Sequence, residues 1–191
     1  MNLGNAKNQL IELLHELGCP ASCAEFKSET PSVGGLHCST VVVTFPDGLQ
    51  ICGIGIAQRI TQAEIAAAQK VLGLLHDHHP NLMVNWDEIR VEAQAGDALI
   101  KLAVYLSIES TTASEKSLIL QKWEHNAHFE QMFDLWKSQG DPDLAIWGDD
   151  LSQERKATLV EALLWRRFGK QVLAADALSH LQTLFKIVVL E

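Results

Sequence analysis

Hydrophobic periodicity changes once along this chain, and that change constrains the fold more than any single motif does. Before residue 76, apolar residues recur at helical spacing near both ends and alternate in between. Beyond residue 86 they recur at helical spacing almost throughout. The change falls at His76-Asp77-His78-His79-Pro80-Asn81, a polar stretch whose proline disfavours helix continuation. The pattern predicts a domain over 1–75, a linker over 76–85 and a helical domain over 86–191.

In the first domain Ala6, Leu10, Leu13, Leu14 and Leu17 share one helical face, with Gly18 as a stop. A strand is expected over 23–28, and the β-branched run 38–45 reads as a second. Pro46-Asp47-Gly48 turns the chain into a third, over 49–55. Thr61 offers a helix N-cap, with Glu64 three residues on completing a capping box before 65–75. The expected order is α-β-β-β-α, a three-stranded antiparallel sheet with two helices on one face.

In the second domain, 86–108 reads as a central helix because Ala98, Ile100, Leu102, Ala103, Leu106 and Ile108 spread around most of its circumference. Residues 114–137 read as a second helix, ended by Gly140-Asp141-Pro142-Asp143. A third runs from a Ser152 cap to Phe168 with Gly169 as stop, and 173–190 is a fourth amphipathic segment.

Charge narrows the function classes. Fifteen Lys and Arg against 24 Asp and Glu give a net charge of −9, the wrong sign for a chain living on phosphate contacts unless its cations gather on one face. No apolar run reaches the roughly 18 residues of a membrane span, which excludes membrane helices. The first residues lack the pattern of a signal peptide, so a cytoplasmic location is expected. In that compartment Cys19, Cys23, Cys38 and Cys52 are expected reduced, and they lack zinc-site spacing. His76, His78 and His79 read as a solvated linker. His125 and His128 share a face with Glu124 and read as a surface or interface group. Trp165-Arg166-Arg167-Phe168-Gly169-Lys170 is the one basic-aromatic cluster, placed either to touch phosphate or to complement a helix dipole.

The first 75 residues resemble the double-stranded RNA-binding domain. The likeness is carried by Ala63-Glu64, Ala67-Ala68, Val71-Leu72 and Leu75 in the last helix, by Gly53-Ile54-Gly55, by Gly34-Gly35-Leu36-His37 and by Gln9-Leu10-Ile11-Glu12-Leu13-Leu14. The resemblance implies minor-groove contacts from Gln9, Glu12 and His37. The family's lysine pair, which meets phosphates across the major groove, is replaced by Ile60 and Thr61, with Arg59 the nearby cation. Weak RNA binding, or conversion to protein contacts, is therefore expected.

The helical part resembles the ribonuclease III catalytic domain. Gly96-Asp97-Ala98-Leu99 and Glu161-Ala162-Leu163 match its two acidic signatures, and Leu118–Asn126 matches its middle helix. That family hydrolyses structured RNA with Mg²⁺ (or Mn²⁺) held by four acids, the ion activating water and neutralising phosphate charge. The resemblance implies Asp97 and Glu161 as catalytic and metal-holding residues. The other two positions hold Ala93, with Glu92 one residue out of register, and Thr158. Ala157-Thr158-Leu159-Val160-Glu161-Ala162-Leu163 also resembles the Mini-III branch, although Ala145–Asp150 stands where that branch carries an arginine-rich loop.

Two functions are expected from this. The first is a non-catalytic or weakly catalytic protein that binds structured or double-stranded RNA or a ribonucleoprotein, with a protein or ribosomal partner. The alternative is an active Mini-III-like endoribonuclease acting on structured RNA such as a ribosomal RNA precursor, with Arg166, Arg167 and Lys170 on substrate phosphates. A bland reading stands beside both: Asp97 and Glu161 as ordinary helix-surface acids, with Asp97 paired to Lys101 at i, i+4. A homodimer is expected through the first signature helix, centred on Ala95, Leu99 and Leu102; the alternative is that the first domain folds back and covers that face within one chain.

Overall fold

The structure is a computed structural model that describes residues 6–29, 35–108, 112–172 and 177–190. The chain divides into two compact units. One takes the residues up to Val84 together with Ala145–Leu151; the other takes Asn85–Leu144 and the residues from Ser152 on.

The first unit runs α1 (Ala6–Glu16), β1 (Ala24–Glu29), β2 (His37–Thr44), β3 (Gln50–Ala57) and α2 (Ile60–His78). The strands form one antiparallel sheet in the order β1-β2-β3, so the expected order and sheet are observed. Side chains alternate across it as the two-residue period demands. Ser39, Val41 and Val43 of β2 face inward, opposite Gly55, Gly53 and Ile51 of β3, while Cys52, Ile54 and Ile56 face out. Ala63, Ala67, Ala68, Val71 and Leu75 of α2 are buried, with Leu10 and Leu14 of α1. Each such leucine or valine contributes ~1.5–3 kcal/mol by leaving water.

Gly53 and Gly55 let α2 sit close to β3. A Cβ on either would run into a backbone carbonyl of α2, that of Ala67 or Ala63. The motif's glycines therefore have a packing reason.

The start of α2 differs from expectation. The helix begins at Ile60 with Arg59 as N-cap and no side-chain cap, so the expected Thr61–Glu64 capping box does not form. The Glu64 carboxylate instead accepts a 2.7 Å hydrogen bond from Lys7, tying α1 to α2. The helix also continues to His78, and Pro80–Leu82 adds a 3₁₀ turn, so the stretch read as a linker is largely structured.

Residues 145–151 join the first unit by backbone bonds. Gly148 N–H donates to Leu17 O at 2.7 Å, and Asp150 N–H donates to Gly18 O at 3.0 Å. Gly18 has φ +72°, where a side chain is strained, and Gly148 lies against the Gly18 carbonyl with no room for a Cβ.

The second unit is helical: α3 (Trp86–Ser107), α4 (Ala113–Trp123), α5 (Asn126–Ser138), α6 (Gln153–Leu164), the short α7 (Lys170–Val172) and α8 (Ala177–Leu190). Asn85 caps α3 by accepting from the Asp87 and Glu88 N–H groups, Thr112 caps α4 in a full capping box, and Ser152 caps α6. Two expectations are corrected. The single helix over 114–137 is two, broken at Glu124–His125. The third helix does not stop at Gly169, because a π turn over Trp165–Gly169 carries it into α7. Of the fourth segment, 173–176 lie outside the described residues. Cys23, Cys38 and Cys52 are free thiols, and the buried Cys19 Sγ donates to the Leu17 carbonyl at 3.9 Å.

Candidate acidic site and its surroundings

The two acidic signatures meet where α3 crosses α6. Gly96 makes the crossing possible, since a Cβ there would collide with the Glu161 backbone carbonyl. The neighbouring Asp97 is thereby brought within electrostatic reach of Glu161. The C-cap of α4 adds a third carboxylate, Glu124.

A lysine stands among these acids. Lys101, one turn after Asp97, donates to its carboxylate at 2.7 Å, and its ammonium lies 3.5 Å from Glu124 Oε1. That Glu124 oxygen is buried and has no hydrogen-bond partner. The hydrogen bond from Lys101 to Asp97 pushes the lysine's affinity for its proton up, against the opposing effect of burial. Burial pushes the Glu161 carboxyl up to about 7. The Asp97 charge adds to that rise, Lys101 opposes it, and Glu124 raises it further. The i, i+4 pairing of Asp97 with Lys101 is thus observed, inside a larger cluster.

This donor set is a poor fit for a divalent cation. Mg²⁺ bound by protein carboxylates needs them ionised and free to turn toward it. Here Asp97 is engaged by an ammonium. Ala93 and Thr158 bring no donor carboxylate, and Glu92 is turned to Arg166, whose guanidinium reaches it at 2.6 Å. Among the described residues no group of three or more His, Cys, Asp or Glu is placed to hold a metal ion.

The expected RNA-contacting residues belong to both units. Gln9 and Glu12 are exposed on α1, and Arg59 is exposed at the start of α2. His37 opens β2 half-buried, with a buried, unpartnered Nδ1; Gly34 of its loop lies outside the described residues. In the second unit Arg167 donates to Asp141 at 2.7 Å and to Asp143 at 2.7 Å. Burial works against its charge, but those carboxylates outweigh it and raise its proton affinity. With Arg166 on Glu92, two of the three cations expected on phosphate are neutralised internally. Lys170 remains exposed. His128 bonds the Val188 carbonyl at 2.9 Å and stacks edge-on to Trp123, so it serves packing.

Sequence reasoning missed a buried cation, Lys156, which is 9% exposed. It bonds Asp134 at 2.9 Å, nears Glu130 at 3.8 Å and lies over the Phe133 ring, joining α6 to α5. Its partners are over twenty residues away in sequence, beyond any local pattern. No helix among the described residues is long and apolar enough to cross a membrane. No family model matches the chain, and no curated protein or solved structure matches it significantly.

Proposed function

We propose that this chain binds structured RNA within a ribonucleoprotein and does not cleave it. The observation that carries this reading is the Lys101 ammonium set between Asp97 and Glu124 beside Glu161. It offsets the negative charge that would otherwise recruit a divalent ion, and phosphodiester hydrolysis of the type the resemblance implies depends on such ions. The internal pairing of Arg166 and Arg167 points the same way, because it removes cations from phosphate binding. Of the expected RNA contacts, the cations left for phosphate are Arg59 and Lys170. Few phosphate contacts mean weak affinity; the salt slope is correspondingly shallow, and it is the low starting affinity that puts binding out of reach as salt rises.

One observation favours the nuclease alternative. A carboxyl pushed up to about 7 beside another acid is the kind of perturbed group active sites collect. Incubating long duplex RNA with the protein and Mg²⁺ or Mn²⁺, beside an Asp97→Asn, Glu161→Gln double variant, decides between them. No cleavage above the double variant is expected. Cleavage that vanishes in the variant overturns the proposal. Duplex binding in a mobility-shift titration is expected to be weaker than about micromolar and to disappear between about 50 and 200 mM salt.

The proposal includes a two-fold homodimer. Val91, Ala95, Ala98, Leu102 and Tyr105 recur at helical spacing along α3, and none of them is buried. Such a stripe supports pairing with a second copy of itself. Leu99, expected in that contact, is only 4% exposed and packs inside the unit instead.

A further inference from the structure

We propose that the groove between α1 and α2 of the first unit is a docking site for a basic amphipathic helix of a protein partner. The groove has a volume of about 890 Å³ and is lined by Leu13, Leu72, Gly73, Met83 and Val84. Glu12, Glu16 and Asp77 stand among the same lining residues, which include no lysine or arginine. His76, also in the lining, is turned to Asp77 at 3.1 Å. A concave apolar surface bordered by one sign of charge is the counterpart of a helix with apolar residues at i, i+3, i+4 and i+7 and cations on its flanks.

Gly73 supplies a second, independent observation. It lies in the interior of α2, where glycine weakens a helix relative to alanine. Gly53, Gly55 and Gly96 are each required by a close neighbour, but a Cβ on Gly73 would meet nothing within 4 Å. Nothing among the described residues of the unit explains the glycine. A helix packing closely across the groove does, since small residues let two helix backbones approach.

The charges select the occupant. Duplex RNA would set its phosphates against three carboxylates. A second copy would bring the same carboxylates, in a chain of net charge −9. A basic protein helix is attracted where both of these are repelled. The inference supplies the protein side of the ribonucleoprotein reading and rests on it only for the partner's setting; Gln9 and Glu12, which the resemblance would give to RNA, are here given to the partner.

The test uses the full chain and a fluorescein-labelled helical peptide of leucine and lysine, with its leucine–glutamate counterpart as control. Fluorescence anisotropy is expected to report saturable binding of the lysine peptide and none of the glutamate one. Gly73→Leu fills the groove and Glu12→Lys/Asp77→Lys reverses its rim; each is expected to weaken binding at least tenfold while circular dichroism stays unchanged. Amide shifts on titration are expected on α1, α2 and residues 83–84. Equal binding of both peptides, shifts elsewhere, or folded variants that bind as before overturn the proposal. Binding that appears only after residues 1–5 are removed overturns it as well, by making the chain's own start the occupant. Duplex RNA that competes with the peptide for the groove would also overturn it. RNA cleavage, by contrast, would sink only the preceding function and leave this result standing.

Discussion

At the scale of single residues, Glu161 concentrates the electrostatic tension of the second unit. Its carboxyl is pushed up to about 7 in the folded chain by burial and by Asp97, from an ordinary value of 4.5. The folded state therefore holds the proton more tightly than the unfolded state. Stability is greatest below the ordinary value, falls as pH rises from there to about 7, and the full cost stands above that. Discounted for partial solvent screening, the cost is on the order of 2 kcal/mol. Glu161→Gln removes the charge and keeps the shape. The variant is expected to be more stable than the parent by about that amount at pH 8, with the difference closing toward pH 5. Urea titrations at both pH values check this, and a variant less stable at pH 8 contradicts it. The pairing of Asp97 with Lys101 was legible in the sequence because i, i+4 contacts are local. Glu124 was not, since it arrives from a separate helix and nothing in its own neighbourhood announces Lys101.

At the scale of elements, glycines report where helices and strands are forced together. Ala ordinarily stabilises a helix by about 1 kcal/mol over Gly. At Gly73, where a Cβ has open space, Gly73→Ala is expected to follow that rule and raise stability by roughly 0.5–1 kcal/mol. At Gly96, where a Cβ meets the Glu161 carbonyl, the sign reverses. Gly96→Ala is expected to cost about 1–3 kcal/mol or more and push α3 from α6. Thermal unfolding of the two variants side by side is the measurement; a stabilised Gly96→Ala would mean that the helices do not cross there. The three strands and the long helices were readable because their periods are 2 and 3.6. The break between α4 and α5 was not. Glu124-His125 contains neither glycine nor proline, and Leu118 falls in phase with Phe129, Met132 and Trp136. In the fold Leu118 is exposed and those three are buried, so packing rather than local propensity ended α4. Tertiary competition likewise took Glu64 from its capping role, because Lys7 offered a charged partner.

At the scale of the whole molecule, two interactions proposed for this chain depend on salt with opposite signs. The stripe on α3 from Val91 to Tyr105 spans roughly 21 Å at about 1.5 Å per residue, on a helix about 10 Å wide. That face alone falls below the roughly 800 Å² per partner of a standard interface, which sets the dimer among weak, concentration-dependent ones. Two copies of a −9 chain also repel each other at long range. Raising salt toward 0.15 M cuts that repulsion to a range of about 8 Å and leaves apolar contact intact. Dimerisation is therefore expected to strengthen with salt over the interval in which duplex RNA binding is lost by counterion effects. Light scattering at rising micromolar concentration should move from 21.1 kDa toward twice that mass, more readily at 150 than at 20 mM salt. Ala98→Arg, which places a cation at the centre of the stripe without entering the core, should hold the chain at 21.1 kDa. A parent chain that keeps the single mass at every concentration and salt would remove the α3 dimer and leave the stripe to another partner.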